Sequence, residues 1–155
     1  MARYAAGTEV SSDRSRAEIE RTLRRYGASA FAYGWEGDMA QVGFKLANRQ
    51  IKFRLPLPDP ESDEFTLTPT GRERSAKAAE DAYEQAVKQR WRALALVIKA
   101  KLEAVDAGIS TVEDEFMAHI ALPDGRTVSD WLGPQLGAVY DRHVMPALLP
   151  GSGQS

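Results

Sequence analysis

The spacing of apolar positions changes several times along the chain, and each change marks an element. Ile19, Leu23 and Tyr26 fall at i, i+4 and i+7, one face of a helix. Ser15 and Glu18 stand in the S-x-x-E arrangement of a capping box, and Gly27 sits where a left-handed residue ends a helix. The pattern predicts a first helix over about residues 14–26, preceded by a small, polar lead-in over 1–13.

The period then drops to two. Phe31, Tyr33 and Trp35 alternate with Ala30, Ala32 and Gly34; Val42, Phe44 and Leu46 alternate with Gln41, Gly43 and Lys45; Ile51, Phe53 and Leu55 alternate with Gln50, Lys52 and Arg54. Turn signals at Gly37-Asp38 and Asn48-Arg49 separate the runs, which predicts a three-stranded antiparallel meander covered on one face. Pro56, Pro58, Pro60 and Pro69, interspersed with Asp59, Glu61, Asp63 and Glu64, then read as an acidic, semi-rigid loop over 56–70 without regular structure.

Neither proline nor glycine interrupts residues 72–107, and Tyr83, Val87, Trp91 (or Arg90), Leu94, Ile98, Leu102 and Val105 step by three or four along it. This predicts a long central helix, capped by Thr68 or Thr70 and ended by Gly108, with a break near Ser75–Gln85 possible but not required. Ser110 with Glu113 predicts a further helix carrying Val112, Phe116 and Ile120. A Pro123-Asp124-Gly125 turn and a Thr127/Asp130 cap lead to a last helix. The whole is an α+β reading: one domain over 14–149, in which the long helix packs on the apolar sheet face and two C-terminal helices close the core, then a flexible tail over 150–155. Trp35, Trp91 and Trp131 read first as core anchors, with Trp131 alternatively an exposed interface residue.

Composition narrows the function classes. The chain has 155 residues, 43% hydrophobic and 27% charged, ordinary values for one globular domain. With no cysteine, disulfides and thiolate chemistry are excluded, which fits a reducing cytoplasm. The first ten residues lack a signal peptide's apolar stretch, and no run has the length of a membrane span. A net charge of −2 means that any nucleic-acid affinity must come from local clustering.

Two clusters of cations stand out. Lys45, Arg49, Lys52 and Arg54 lie on neighbouring strands and are read as pointing away from the apolar face. There the small residues Ala30, Ala32, Gly34 and Gly43 leave room for a sugar–phosphate backbone. The plainer alternative is a solvated sheet face whose charges discourage edge aggregation. On the long helix, Lys88, Arg92 and Lys99 fall in one sector and Arg90 and Lys101 in another, so the charge flanks the apolar stripe and forms no continuous ribbon. Acidic neighbours such as Glu84 weigh against a membrane-surface helix.

Catalytic motifs are missing. Glu115 and His119 share an i, i+4 spacing that two metal ligands can use, but no second histidine completes the pattern; an ion pair or cap explains them more simply. Glu113, Asp114 and Glu115 are consecutive and radiate around a helix start, where the dipole favours anions. No catalytic residue, metal site or cofactor is assigned.

"RAEIERTLRRYGA", "YGWEGD", "KQRWRALALVIKAKLEAV" and "AGISTVEDEFMAHIALPDGRTVSDWL" resemble segments of a family of short bacteriophage- and prophage-encoded proteins. The resemblance spans about residues 14–149. It implies a phage or mobile-element setting and action in the host cytoplasm, and it brings no catalytic residue with it. Two functional expectations follow. The first is a non-enzymatic accessory protein that binds DNA or RNA through Lys45, Arg49, Lys52 and Arg54. The second is a protein-interaction module for a host or phage protein, with the oligomeric state open and self-association along the long helix one route.

Overall fold

A computed structural model describes residues 2–145, with side chains from Ser12 onward. The order is α1 (Ala2–Arg25), β1 (Ala30–Glu36), β2 (Met39–Leu46), β3 (Arg49–Pro56), α2 (Asp63–Thr66), α3 (Ala76–Asp106), α4 (Val112–Phe116), a 3-10 turn (Met117–His119) and α5 (Val128–Arg142). The α+β architecture is the one that the alternating patterns predict.

The first helix starts well before residue 14. Ala2, Ala5 and Ala6 are strong helix formers, and no proline intervenes. Ser15 and Glu18 therefore lie inside α1 and cap nothing. Ser12 is buried and accepts a hydrogen bond from Arg16 Nε at 2.9 Å. Gly27 ends the helix at φ +92°, with Ala28 N–H bonded to the Leu23 carbonyl and Gly27 N–H to that of Arg24, the paired bonds of a Schellman motif.

β1, β2 and β3 form an antiparallel sheet in sequence order. Met39 pairs with Glu36 and Arg49 with Leu46, so each connection is a two-residue loop. The second loop is Ala47-Asn48, one position earlier than expected. Both residues have positive φ, 51° and 61°, as a type I′ turn requires.

Val42, Phe44, Leu46, Ile51 and Phe53 point to the inner face and are buried. α1 and α3 pack side by side over them: Ile19 and Leu23 from α1, Val87, Trp91, Leu94, Ile98 and Leu102 from α3. Burial of each such side chain contributes about 1.5–3 kcal/mol, so this layer decides the fold. Tyr33 is half-buried against Trp91, ring centroids 5.4 Å apart, and the Arg16 guanidinium lies over its ring at 4.1 Å. Trp35 is no core anchor. It lies near the end of an edge strand, 41% exposed, with its ring 5.9 Å from that of Tyr33.

α3 is unbroken for 31 residues, about 46 Å at 1.5 Å per residue. Its cap is Ser75, which accepts from Ala78 N–H, in place of Thr68 or Thr70. Thr68 instead bonds within a local turn to Arg72 N–H. The acidic stretch is not wholly irregular either: α2 makes one helical turn that buries Phe65 edge-on to Tyr83.

Thr111, not Ser110, caps α4, accepting from Asp114 N–H. Phe116 is fully buried and T-shaped against both Phe44 and Phe53. The expected helix does not reach Ile120. The chain tightens into the 3-10 turn and then runs beside β3, where Ile120 bridges Ile51 and Ala121 N–H donates to the Gln50 carbonyl. This contact with the free edge of β3 outweighs helix continuation. The expected tail beyond residue 149 lies outside the described residues.

Candidate interaction surfaces

The outer sheet face is floored by Ala32, Gly34 and Gly43. It carries a shallow trough of about 370 Å³, to which Gln41, Lys52 and Trp35 also contribute. Of the four cations expected on this face, three are held by the protein itself. Lys52 Nζ donates to the Gly125 carbonyl at 2.7 Å. Arg54 forms a two-pronged pair with Asp130, at 2.9 and 2.7 Å. Arg49 is not on this face: it shares the parity of Ile51 and Phe53, and its guanidinium lies 3.8 Å from Glu113 of α4, which packs on the inner side. Counting by two from Arg54 reaches Gln50, not Arg49. The Lys45 side chain is exposed and makes no hydrogen bond or ion pair among the described residues.

The groups that occupy these cations come from the C-terminal segment. Ala121 and Thr127 bridge across the Pro-Asp-Gly turn, with Gly125 at φ +88°. Thr127 then caps α5 in the expected capping box: its hydroxyl accepts from Asp130 N–H, and its own N–H donates to the Asp130 carboxylate at 2.9 Å. The same carboxylate receives Arg54. Chiefly through Arg54, and then the Thr127 N–H, Asp130 is held well below the usual carboxylate range. One side chain thus caps α5 and ties it to β3.

Glu115 and His119 do not act together. Glu115 pairs with Lys101 at 3.5 Å, and Lys101 also donates to its carbonyl. His119 stacks on Phe53, ring centroids 3.9 Å apart. Burial, and secondarily the charge of Lys101, push its pKa down, against a hydrogen bond to the Lys52 backbone. Among the described residues no three potential metal ligands converge.

α5 is the element that the sequence reading misplaced. It does not close the core: none of its residues is buried, and none belongs to the apolar cluster or to the partly buried residues packed on it. The inner face is already filled by α1, α3 and Phe116, while Lys52 and Arg54 draw the chain toward the outer side. Leu136 (49% exposed) and Tyr140 (79%) stand at i and i+4 on α5, and Val144 (58%) and Met145 follow beyond its end. That spacing was visible in "DWLGPQLGAVYDRHVM" as a helical stripe. Core and surface stripes look alike in sequence, however, and only the fold separates them.

No helix among the described residues is long and apolar enough to cross a membrane. The chain matches no family model, no curated protein and no solved structure.

Proposed function

We propose that the protein is a non-enzymatic interaction module that binds another protein chain through α5, in the cytoplasmic phage or mobile-element setting that the sequence resemblance implies. The observation that carries this reading is the exposed apolar pair Leu136 and Tyr140 on a helix with no buried residue, followed past its end by exposed Val144 and Met145. An apolar surface of this kind on an otherwise well-packed domain marks a contact site. The nucleic-acid reading has less support. Lys52 and Arg54 are engaged within the chain, Arg49 faces the other way, and Lys45 alone offers little counterion release.

A photo-crosslinking amino acid placed at Tyr140, and separately at Lys45, tests this in cells that express the full chain. Protein adducts are expected from position 140 and not from 45. Adducts from 45 alone, or salt-dependent DNA or RNA binding that is lost with Lys45→Glu, would overturn it.

A further inference from the structure

Two rows of cations lie unengaged on the helical layer. At about 100° per residue, Arg14, Arg21 and Arg25 fall within an arc of about 40° on α1. That arc is opposite buried Ser12, Ile19 and Leu23, so the three arginines run along the outer crest of the helix. Lys88, Arg92 and Lys99 fall within an equally narrow arc on α3. On the other flank of α3, Arg90 donates to the Pro56 carbonyl and Lys101 pairs with Glu115, so that flank faces β3 and α4. The buried row from Val87 to Leu102 lies midway between the two flanks.

The fold sets the rows side by side. α1 contacts β1, α3 contacts β3 at the opposite edge of the sheet, and the two helices pack on each other. The flank of α3 turned away from β3 is therefore the one turned toward α1. The helices also run in the same direction. α3 passes from Pro56, at Arg90, to Phe116, at Lys101, and Phe116 packs on Phe44, the partner of Phe31. α1 enters β1 at that same end. Arg16 over Tyr33, which packs on Trp91, fixes the level: Arg14 comes beside Lys88 and Arg25 beside Lys99. Each row is about 16 Å long, and axes of packed helices lie about 8–10 Å apart.

The side chains of these six cations make no hydrogen bond or ion pair among the described residues, whereas Arg24, Arg90 and Lys101 on the same helices are held within the chain. Glu18 is the acidic residue at the edge of the α1 row; Asp81 and Glu84 precede the α3 row, and Glu103 and Asp106 follow it. We infer that this side of the α1–α3 layer holds the phosphate backbone of a nucleic-acid duplex, a second surface that does not rest on the α5 reading. A narrow basic track closed by acids suits a linear polyanion laid across it, and an anionic bilayer would meet those acids as well. Neither helix exposes a large aromatic side chain among the described residues, so bases have nothing to stack on, which favours a duplex over a single strand. Contacts to phosphates alone carry no sequence preference.

Fluorescence anisotropy of a labelled DNA duplex titrated with the full chain reads the contact. Binding should be micromolar at low salt, and log K should fall linearly with log salt at a slope of roughly −4 to −5, about −0.9 for each phosphate neutralised. Arg21→Gln with Arg92→Gln, one cation from each row, should weaken binding about tenfold at low salt and make the slope shallower by about 2. Both side chains are exposed, so the double variant should keep its urea midpoint. Lys45→Gln with Arg72→Gln removes two exposed cations elsewhere and should change neither quantity. No detectable binding at low salt, a slope near zero, or a double variant that binds like the parent would each overturn the inference. So would polyglutamate that displaces the duplex at equal charge, which points to an acidic protein, or tighter binding to phosphatidylserine vesicles than to DNA, which points to a membrane. Binding lost with Lys45 and kept in the Arg21 and Arg92 variant overturns both this inference and the α5 reading. The opposite pattern, with no adduct from position 140, supports the phosphate surface and overturns the α5 reading alone.

Discussion

Trp91 allows the packing argument to be tested against a polar one. It is the largest fully buried side chain, and its indole N–H finds no hydrogen-bond acceptor among the described residues. Trp91→Ala should cost about 3–5 kcal/mol, the range for emptying a buried aromatic site. Trp91→Phe behaves differently. It gives up part of the ring's burial, about 1–2 kcal/mol at roughly 0.8 kcal/mol per methylene equivalent. It also removes a buried donor whose unmade hydrogen bond costs about 1–3 kcal/mol. The two terms offset, so Trp91→Phe should lie within about 1 kcal/mol of the parent, far milder than alanine. Urea unfolding followed by far-ultraviolet circular dichroism measures both variants, with an unchanged slope as the check that the end states are comparable. A phenylalanine variant that loses 3 kcal/mol or more, about as much as alanine, would refute the reasoning, since the N–H would then be making a valuable bond.

Three further outcomes follow from the geometry. Ala47 holds φ +51° in its turn, a region that penalises a Cβ, so Ala47→Gly should stabilise the protein by about 0.5–1 kcal/mol, read as a rise in the urea midpoint. His119 has its pKa lowered in the fold, so the unfolded chain takes up the proton first. Stability should fall as pH drops through about 6.5 and level off below the folded-state value, and His119→Gln should flatten that slope in pH-dependent thermal melts. Asp130 is shifted the same way but as a carboxylate, so its contribution is present above about pH 4 and is lost as the medium becomes strongly acidic. Asp130→Asn should raise amide exchange in α5 at neutral pH while leaving exchange in α3 unchanged.

The sequence disclosed those parts of the molecule in which one face of an element decides its fate. The stripe from Tyr83 to Leu102 is buried as spaced, and the period-two runs gave the sheet and its inner face, because burial of a continuous face overrides local detail. Boundaries were less legible. Ser75 and Thr111 cap where neighbouring hydroxyls, Thr70 and Ser110, looked equally able, and only the geometry of the incoming chain chooses between them. The shared face read for the cations holds for Lys45, Lys52 and Arg54 and not for Arg49, and two things were hidden in the sequence. Arg49 needed a strict parity count, whereas Arg54 needed knowledge of Asp130, a partner 76 residues away that no local pattern announces. α5 was legible as a capped helix and illegible as an uncovered one.

Every strand of the sheet pairs with its neighbour in sequence, through loops of two residues. The meander can therefore assemble by successive hairpin closures, each local and rapid. α1 is another matter, because it reaches α3 only across everything from Tyr26 to Ser75. Closing that long segment costs chain entropy before any packing repays it. The docking of Ile19 and Leu23 against α3 should therefore limit folding, and truncating those two side chains should slow refolding in stopped-flow mixing more than equivalent changes within the hairpins.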